Sequence, residues 1–545
     1  MPYFPLIATC AAVLISLSAA ATAVADVGNI GPWGDQGDGT YKNPILPADY
    51  SDIDAIRVGD EYFVISSTFA YSPGQIILRS KDLVNWTMAG RAIPDITRIS
   101  PEMNYDRMGR YGRGVWAGAI RHHDGKFWIY FGDPDVGYFM TTAKDVAGPW
   151  EPLHPVLLAK GWDDCCPFWD DDGQAYFIGT HFADKYKIHL FKMSPDGKTL
   201  DMASDRVMYS SKGSEANKLY KINGLYYHYF SEVTSEGRVP MMRRAKSLDG
   251  PWEMRQIGHV RRRVDKEPNQ GGIVQGPKGD WWFVTHQGTG DWEGRAMCLL
   301  PVTWTDGWPI LGKPGDDGIG NMVWSAKKPI DGLPPALPQT SDTFDGGGDG
   351  LAVQWEWNHQ PRKEKWSLTE RPGFLRLHAF KPLKKGNLLT AGNTLTQRGW
   401  RAANCEVTVK LDVSGMADGQ HAGFAHYART WATIGVLQEA GARKIVRIEN
   451  GKVEEGPAVK LADVWVRSTW GQDGISRFAY SLDGQTFTPL GGTYQLTWGR
   501  YRGNRLGIFS YNDESEAGYV DVDSFQLTFD RPAAFAKTPA TRPTE

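Results

Sequence analysis

Ser214-Glu215-Ala216-Asn217-Lys218-Leu219-Tyr220-Lys221-Ile222-Asn223-Gly224-Leu225-Tyr226-Tyr227-His228-Tyr229-Phe230 reads as a lone acid, a short strand, an Asn-Gly turn and an aromatic strand. Asn-Gly between two apolar runs is a strong hairpin signal, because both central residues of a type I′ turn need φ > 0. The unit recurs. Asp52 precedes Gly59, Trp116 precedes Gly125, Asp164 precedes Gly173 and Gln270 precedes Gly279, each followed by an aromatic strand. The step from leading residue to glycine is nine in four units and seven in the first. The leading residues therefore hold one equivalent place in each repeat. The turn glycines are 48 to 66 residues apart, a period that predicts a propeller with one four-stranded sheet per blade. Five units predict five blades. Residues opening the innermost strands then converge on the axis, and three of them are carboxylates: Asp52, Asp164 and Glu215. Three acids brought together from distant parts of the chain suit chemistry better than packing.

The chain has 545 residues, enough for two or three domains, and 41% apolar residues, enough for a sizeable core. Its 22 Trp suit aromatic blades and sugar-stacking surfaces alike. A net charge of −3 gives no basic footprint for nucleic acid, and Arg261-Arg262-Arg263 is short enough to read as a solvated turn. Residues 1–25 read as a secretory signal, with an apolar run and Ala23-Val24-Ala25 before Asp26, although no Lys or Arg precedes the run. The expectation is a secreted or periplasmic protein with no membrane anchor after cleavage. Cys165, Cys166, Cys298 and Cys405 show no disulfide framework. The adjacent pair reads as buried thiols, with a strained vicinal disulfide as the alternative. No Cys/His metal spacing stands out.

Residues 26–41 are Gly-rich and read as irregular, opening a catalytic propeller that runs to 326. Residues 327–341 carry four prolines, which lack the N–H of a strand ladder, and read as a linker. From 342 to 530 the pattern changes to apolar-polar alternation, as in Cys405-Glu406-Val407-Thr408-Val409-Lys410-Leu411, which predicts a β-sandwich or jelly roll. The Pro- and Thr-rich tail 531–545 reads as disordered. The fold class is therefore all-β.

Asn43-Pro44-Ile45-Leu46, Tyr50-Ser51-Asp52, Val115-Trp116-Ala117, Asp164 to Gly173, Glu215 with Lys218-Leu219-Tyr220, His286, and Gly294-Arg295 through Trp304 resemble glycoside hydrolase family 43. Asp342-Thr343-Phe344-Asp345, Trp355 to His359 and Trp366 to Gly373 resemble the concanavalin-like sandwich that ends the family's β-xylosidases. The resemblance spans residues 40 to 530. It implies an inverting exo-glycosidase acting on xylose- or arabinose-containing oligosaccharides, with Asp52 as general base, Glu215 as general acid and Asp164 orienting the acid. Inversion requires carboxyl groups about 6.5–9.5 Å apart, which acids on different blades can supply. A nearby carboxylate is expected to raise the Glu215 pKa by like-charge repulsion.

The resemblance further implies Phe69 and Trp116 as sugar-pocket aromatics, Arg295 facing sugar hydroxyls, and His286 at an axial structural calcium ion or the water around it. The family's prolines after the acids are replaced here by Ile53-Asp54, Cys165-Cys166 and Ala216-Asn217, and Gly118 follows Trp116-Ala117. Asp54 therefore rivals Asp52, and Asp163 rivals Asp164. Adjacent strand residues face opposite ways, so only one of Asp163 and Asp164 is expected at the axis. β-Xylosidase leads and α-L-arabinofuranosidase follows. A non-catalytic sugar-binding propeller and a retaining enzyme, with carboxyls about 5–5.5 Å apart, are the other readings. The sandwich is expected to act as a buttress that lends a loop to the pocket rim.

Overall fold

The structure is a computed structural model and describes residues 32–348 and 350–537. The leader 1–25 and residues 538–545 lie outside the described residues.

Five antiparallel sheets follow one another, each with four strands in chain order, the fifth also taking a strand from near residue 46. Blade one comprises Asp54–Val58, Glu61–Ser66, Gly74–Ser80 and Thr87–Ile93. The innermost strands of blades two to five are Gly118–His123, Trp162–Trp169, Glu215–Ile222 and Pro268–Gln275. These strands and Asp54–Val58 pack against one another in a closed cycle. The hairpin chemistry is as expected: Asn223 and Gly224 have φ of 51° and 77°, and Asp124 and Gly125 have 49° and 67°. The ring is closed by Leu46–Asp49, which pairs with Ala296–Thr305 of blade five, setting Asp49 opposite Ala296.

The sandwich has two large sheets. Along Cys405–Asp412 burial alternates strictly, with Cys405, Val407, Val409 and Leu411 inward. One sheet does not stop at the domain boundary. Its edge strand Glu356–Asn358 pairs with Tyr71–Ser72, which belongs to a loop of blade one. One apolar core runs through both parts, from Trp33, Leu46 and Ile53 to Trp400, Leu506 and Leu527. A buried charge cluster crosses the same seam. Glu356 is fully buried and bonds Arg91 of blade one, Arg398 at 2.9 Å and Arg505 at 2.8 Å. Arg505 also reaches Asp49, at 3.4 Å. Extensive shared burial is what a buttress requires.

Two expectations need correction and one needs refinement. Residues 26–41 are not all irregular, because Gly34–Asp35 pairs with Thr40–Lys42, which pairs with Ser325–Lys327. Residues 328–341 form no helix or strand, as a linker should, but the segment is held in place. Lys328 is buried between Asp35 at 2.5 Å and Asp82 at 3.2 Å, and the Ala336 N–H donates to Asn85 Oδ1. The expected disorder from 531 does not extend over 531–537. Pro532 and Ala534 are buried, Pro532 packs at Gly34, and Ala534–Lys537 forms one helical turn. In each case tertiary packing overrides a composition that favours loops.

Candidate active site

All five in-register residues, Asp52, Trp116, Asp164, Glu215 and Gln270, line one cavity of about 430 Å³. Phe69, Asp163, Arg238, Asn269, Arg295 and Tyr501 line it too.

The backbone explains how the acids reach it. Asp52, Phe69, Asp164 and Ala216 have φ of 57°, 54°, 51° and 66°, in the left-handed region. Pairing registers shift between Asp163 and Cys166, between Glu215 and Lys218, and between Pro268 and Gly271. Bulges at the mouth of a barrel or propeller re-aim side chains that strict alternation would point elsewhere. This overturns the expectation that only one of Asp163 and Asp164 faces the cavity: both line it. The rival Asp54 does not. Its Oδ2 accepts from the Ile120 N–H at 2.9 Å and from Arg121 at 2.7 Å, between blades one and two. Arg121 also donates to Cys166 Sγ at 2.8 Å, and the Leu219 N–H lies 3.4 Å from that sulfur. Asp54 and Cys166, two of the departures from the family pattern, thus tie four blades together behind the acids. The described cysteines are free, buried thiols.

Asp52 is tightly held. Its Oδ2 accepts from the Ser67 hydroxyl at 2.7 Å, its Oδ1 from Arg295 Nη1 at 2.6 Å, and its N–H donates to His286 Nδ1 at 2.7 Å. Arg295 therefore serves the carboxylate directly, and its guanidinium lies 5.5 Å from the Tyr501 ring centre. Trp116 sits between Phe69, at 6.5 Å in a T-shape, and Tyr501, at 6.0 Å. Rings of this kind pack well on the CH faces of a sugar.

His286 is buried, and burial pushes its pKa well below the usual histidine range. Because Nδ1 accepts a hydrogen bond from the Asp52 backbone N–H, the hydrogen-bond network assigns the ring proton to Nε2, which lies 3.2 Å from Asn269 Oδ1. Both nitrogens are committed to protein partners. The residues present therefore do not fit a calcium ion ligated by His286, and no step below passes through one.

Glu215 pairs with Arg238, Oε1 to Nε at 2.9 Å, and 22% of its side chain remains exposed. Its pKa is pushed up to about 7. Burial is the main cause and Arg238 opposes it, with the negative charge of Asp164 adding to the rise. The expected direction holds, but like-charge repulsion is the lesser cause. Asp164 is raised to about 6, chiefly by burial against the opposing charge of Lys218, and its Oδ1 accepts from Gln270 Nε2 at 2.8 Å. Asp163 is raised well above the carboxylate range by burial and then by Asp164. Its carboxyl fits only because residue 132 is glycine: a Cβ there would lie 2.3 Å from Asp163 Oδ1 and 2.8 Å from Asp163 Cα. Gly132→Ala is expected to cost about 1–3 kcal/mol by overpacking, read as a lowered denaturation midpoint. An unchanged midpoint would show that blade two yields freely.

Arg238 and Tyr501 were not legible in the sequence. Arg238 opens the third strand of blade four, opposite Val233, whereas the repeat pattern marks only first strands. Tyr501 comes from the sandwich, 450 residues from Ser51, whose hydroxyl donates to the Tyr501 carbonyl at 2.8 Å.

A five-bladed propeller with carboxyl groups, arginines and aromatic rings around one axial cavity is the frame of a glycoside hydrolase. The model of the glycosyl hydrolases family 43 matches residues 41–309, and that of the beta xylosidase C-terminal concanavalin A-like domain matches 341–528. A protein of Formosa agariphila named beta-xylosidase is 38% identical, covering 92% of this chain and 93% of its own. A non-reducing end alpha-L-arabinofuranosidase of Bacteroides ovatus is 33% identical over 62% of this chain and 65% of its own. The solved structure of a bifunctional GH43-CE protein of Bacteroides eggerthii superposes with a TM-score of 0.80 at 29% identity, covering 92% of this chain and 64% of that one. The chain belongs to glycosyl hydrolases family 43, and is a glycoside hydrolase.

Proposed function

We propose that this enzyme is an exo-acting β-xylosidase that inverts the anomeric centre, with Asp52 as general base, Glu215 as general acid and Asp164 as the residue that orients and tunes the acid. The observation that carries this is the contrast between the acids. The Asp52 carboxylate accepts from two donors suited to it, Ser67 and Arg295, and its backbone N–H is fixed by His286. Glu215 has its pKa at about 7 and so holds a proton at mildly acidic pH. A carboxylate held by donors and a carboxyl group whose pKa is raised suit the separate roles of base and acid.

In the reaction, Asp52 takes a proton from the attacking water while Glu215 gives one to the departing glycosidic oxygen. Arg238 then stabilises the Glu215 carboxylate until it is reprotonated. Trp116, Phe69 and Tyr501 shape the pocket for a single terminal sugar. Export from the cell, suggested by the leader, would place the enzyme with plant cell-wall oligosaccharides.

The test is hydrolysis of aryl β-D-xylopyranoside against aryl α-L-arabinofuranoside, with the first-formed sugar anomer read by NMR. The expected result is faster xyloside cleavage with α-xylose appearing first. Preference for the arabinoside would favour the second reading, α-L-arabinofuranosidase, for which the Bacteroides ovatus relative speaks. First-formed β-xylose would overturn inversion.

Arg238 offers a separate check. It holds the Glu215 pKa down, so Arg238→Met should move the alkaline limb of the kcat profile to higher pH. Asp164→Asn should move it to lower pH. Limbs that stay in place would detach Glu215 from the profile.

A further inference from the structure

A second cluster lies on blade three, beside the cavity. His181 ends the strand Ala175–His181, Asp184 lies in the turn Phe182–Asp184, and His189 lies in Lys187–Met193. Gly179 is opposite His189, so His181 and His189 are diagonal neighbours on one face of the hairpin. One ligand atom from each of the three residues falls within 4.8 Å of the other two. The sequence showed no Cys/His spacing of a familiar kind, and the hairpin creates the cluster from His-x-x-Asp-x-x-x-x-His.

The His189 imidazole is prepared as a ligand. His189 Nδ1 is 2.8 Å from Asp205 Oδ1; a carboxylate only accepts, so the proton lies on Nδ1 and the lone pair on Nε2. That Nε2 is buried without a hydrogen-bond partner, in a residue only 7% exposed. A carboxylate that orients a histidine in this way is a common outer partner of zinc ligands. The His181 ring is stacked on Trp162 at 4.2 Å and 2°, and the His189 ring stands edge-on to the same indole at 5.0 Å. Asp184 gives Oδ2 to Lys187 Nζ at 2.9 Å, leaving Oδ1 for a ligand.

We infer that His181, Asp184 and His189 bind a zinc-class divalent cation. Two imidazoles and a carboxylate suit zinc and its transition-metal neighbours, whereas calcium and magnesium prefer all-oxygen shells. A small closure of the turn brings the donors to bonds of about 2.0–2.2 Å, with water as the fourth ligand. The cation would staple the segment between the histidines. That segment carries Phe182 and Tyr186, which line the active cavity. Lys185 and Tyr186 both hold left-handed backbone there, with φ of 54° and 58°.

The experiment titrates untagged, metal-stripped protein with zinc chloride, measuring bound metal after dialysis and trypsin nicking after the exposed Lys185. The expected result is one zinc per chain, slower nicking with zinc, and neither effect with calcium chloride. His181→Gln and the half-exposed Asp184→Asn should each lose stoichiometric binding while melting like the wild type without metal. Asp205→Ala should weaken binding on the order of 10–100-fold, as outer-shell partners do. No bound zinc, binding retained by both ligand variants, or nicking unaffected by bound zinc would overturn the inference.

Discussion

Glu215→Ala should lower kcat about 10²–10⁴-fold on a phenyl xyloside, the usual span for a lost general acid. On a dinitrophenyl xyloside the loss should be far smaller. The reason is the leaving group: phenolate must be protonated as it departs, whereas dinitrophenolate is stable without a proton. Asp52→Ala should be crippled on both substrates alike, because each needs an activated water. Equal losses for Glu215→Ala on the two substrates would remove Glu215 from the acid role and direct attention to Asp163, which shares the cavity and holds its proton more firmly. In the wild type, kcat should fall as pH rises through about 7, where Glu215 loses its proton.

Glu356→Ala should destabilise the whole chain by about 3–5 kcal/mol, because it strands Arg91 and Arg398 as buried, unpaired charge and leaves Arg505 only its longer pair with Asp49. The arginines hold the Glu356 pKa far below its ordinary 4.5. Its contribution is therefore fully present above that value and is lost as pH falls below it. The wild type should lose stability on acidification through this window more steeply than the variant. Propeller and sandwich should unfold in one denaturant transition, because a single core and this cluster cross the seam. A cost below about 1 kcal/mol, the range of exposed pairs, would show that water reaches the arginines. Separate transitions for the two parts would deny the buttress role.

The blades were legible because their turns need particular residues: a tight turn after a strand requires φ > 0, which glycine adopts freely, and the period of those glycines counts sheets. The three acids were legible because they sit at one place in that period. What the period cannot show is anything set by a bulge. Asp163 reaches the cavity because Asp164 is left-handed, and no local composition announces that. Nor does a repeat announce pieces that arrive from outside it. Tyr501 is an ordinary loop tyrosine until the sandwich docks, and Arg238 is an ordinary strand residue until Glu215 lies beside it. The metal-ligand cluster stayed hidden because a hairpin, not a spacing motif, assembles it.

The ring is sealed by Leu46–Asp49 laid against blade five, and the pocket wall is finished by Tyr501. The first of these contacts needs a strand near the start of the chain and one 250 residues later. The second needs nearly all the rest. A nascent chain emerging from its N-terminus thus carries Asp52, Asp164 and Glu215, the proposed catalytic acids, long before it carries a closed pocket. Catalytic power in this enzyme is a property acquired at the end of synthesis, and a product truncated before residue 501 should retain the three acids yet lack the finished pocket.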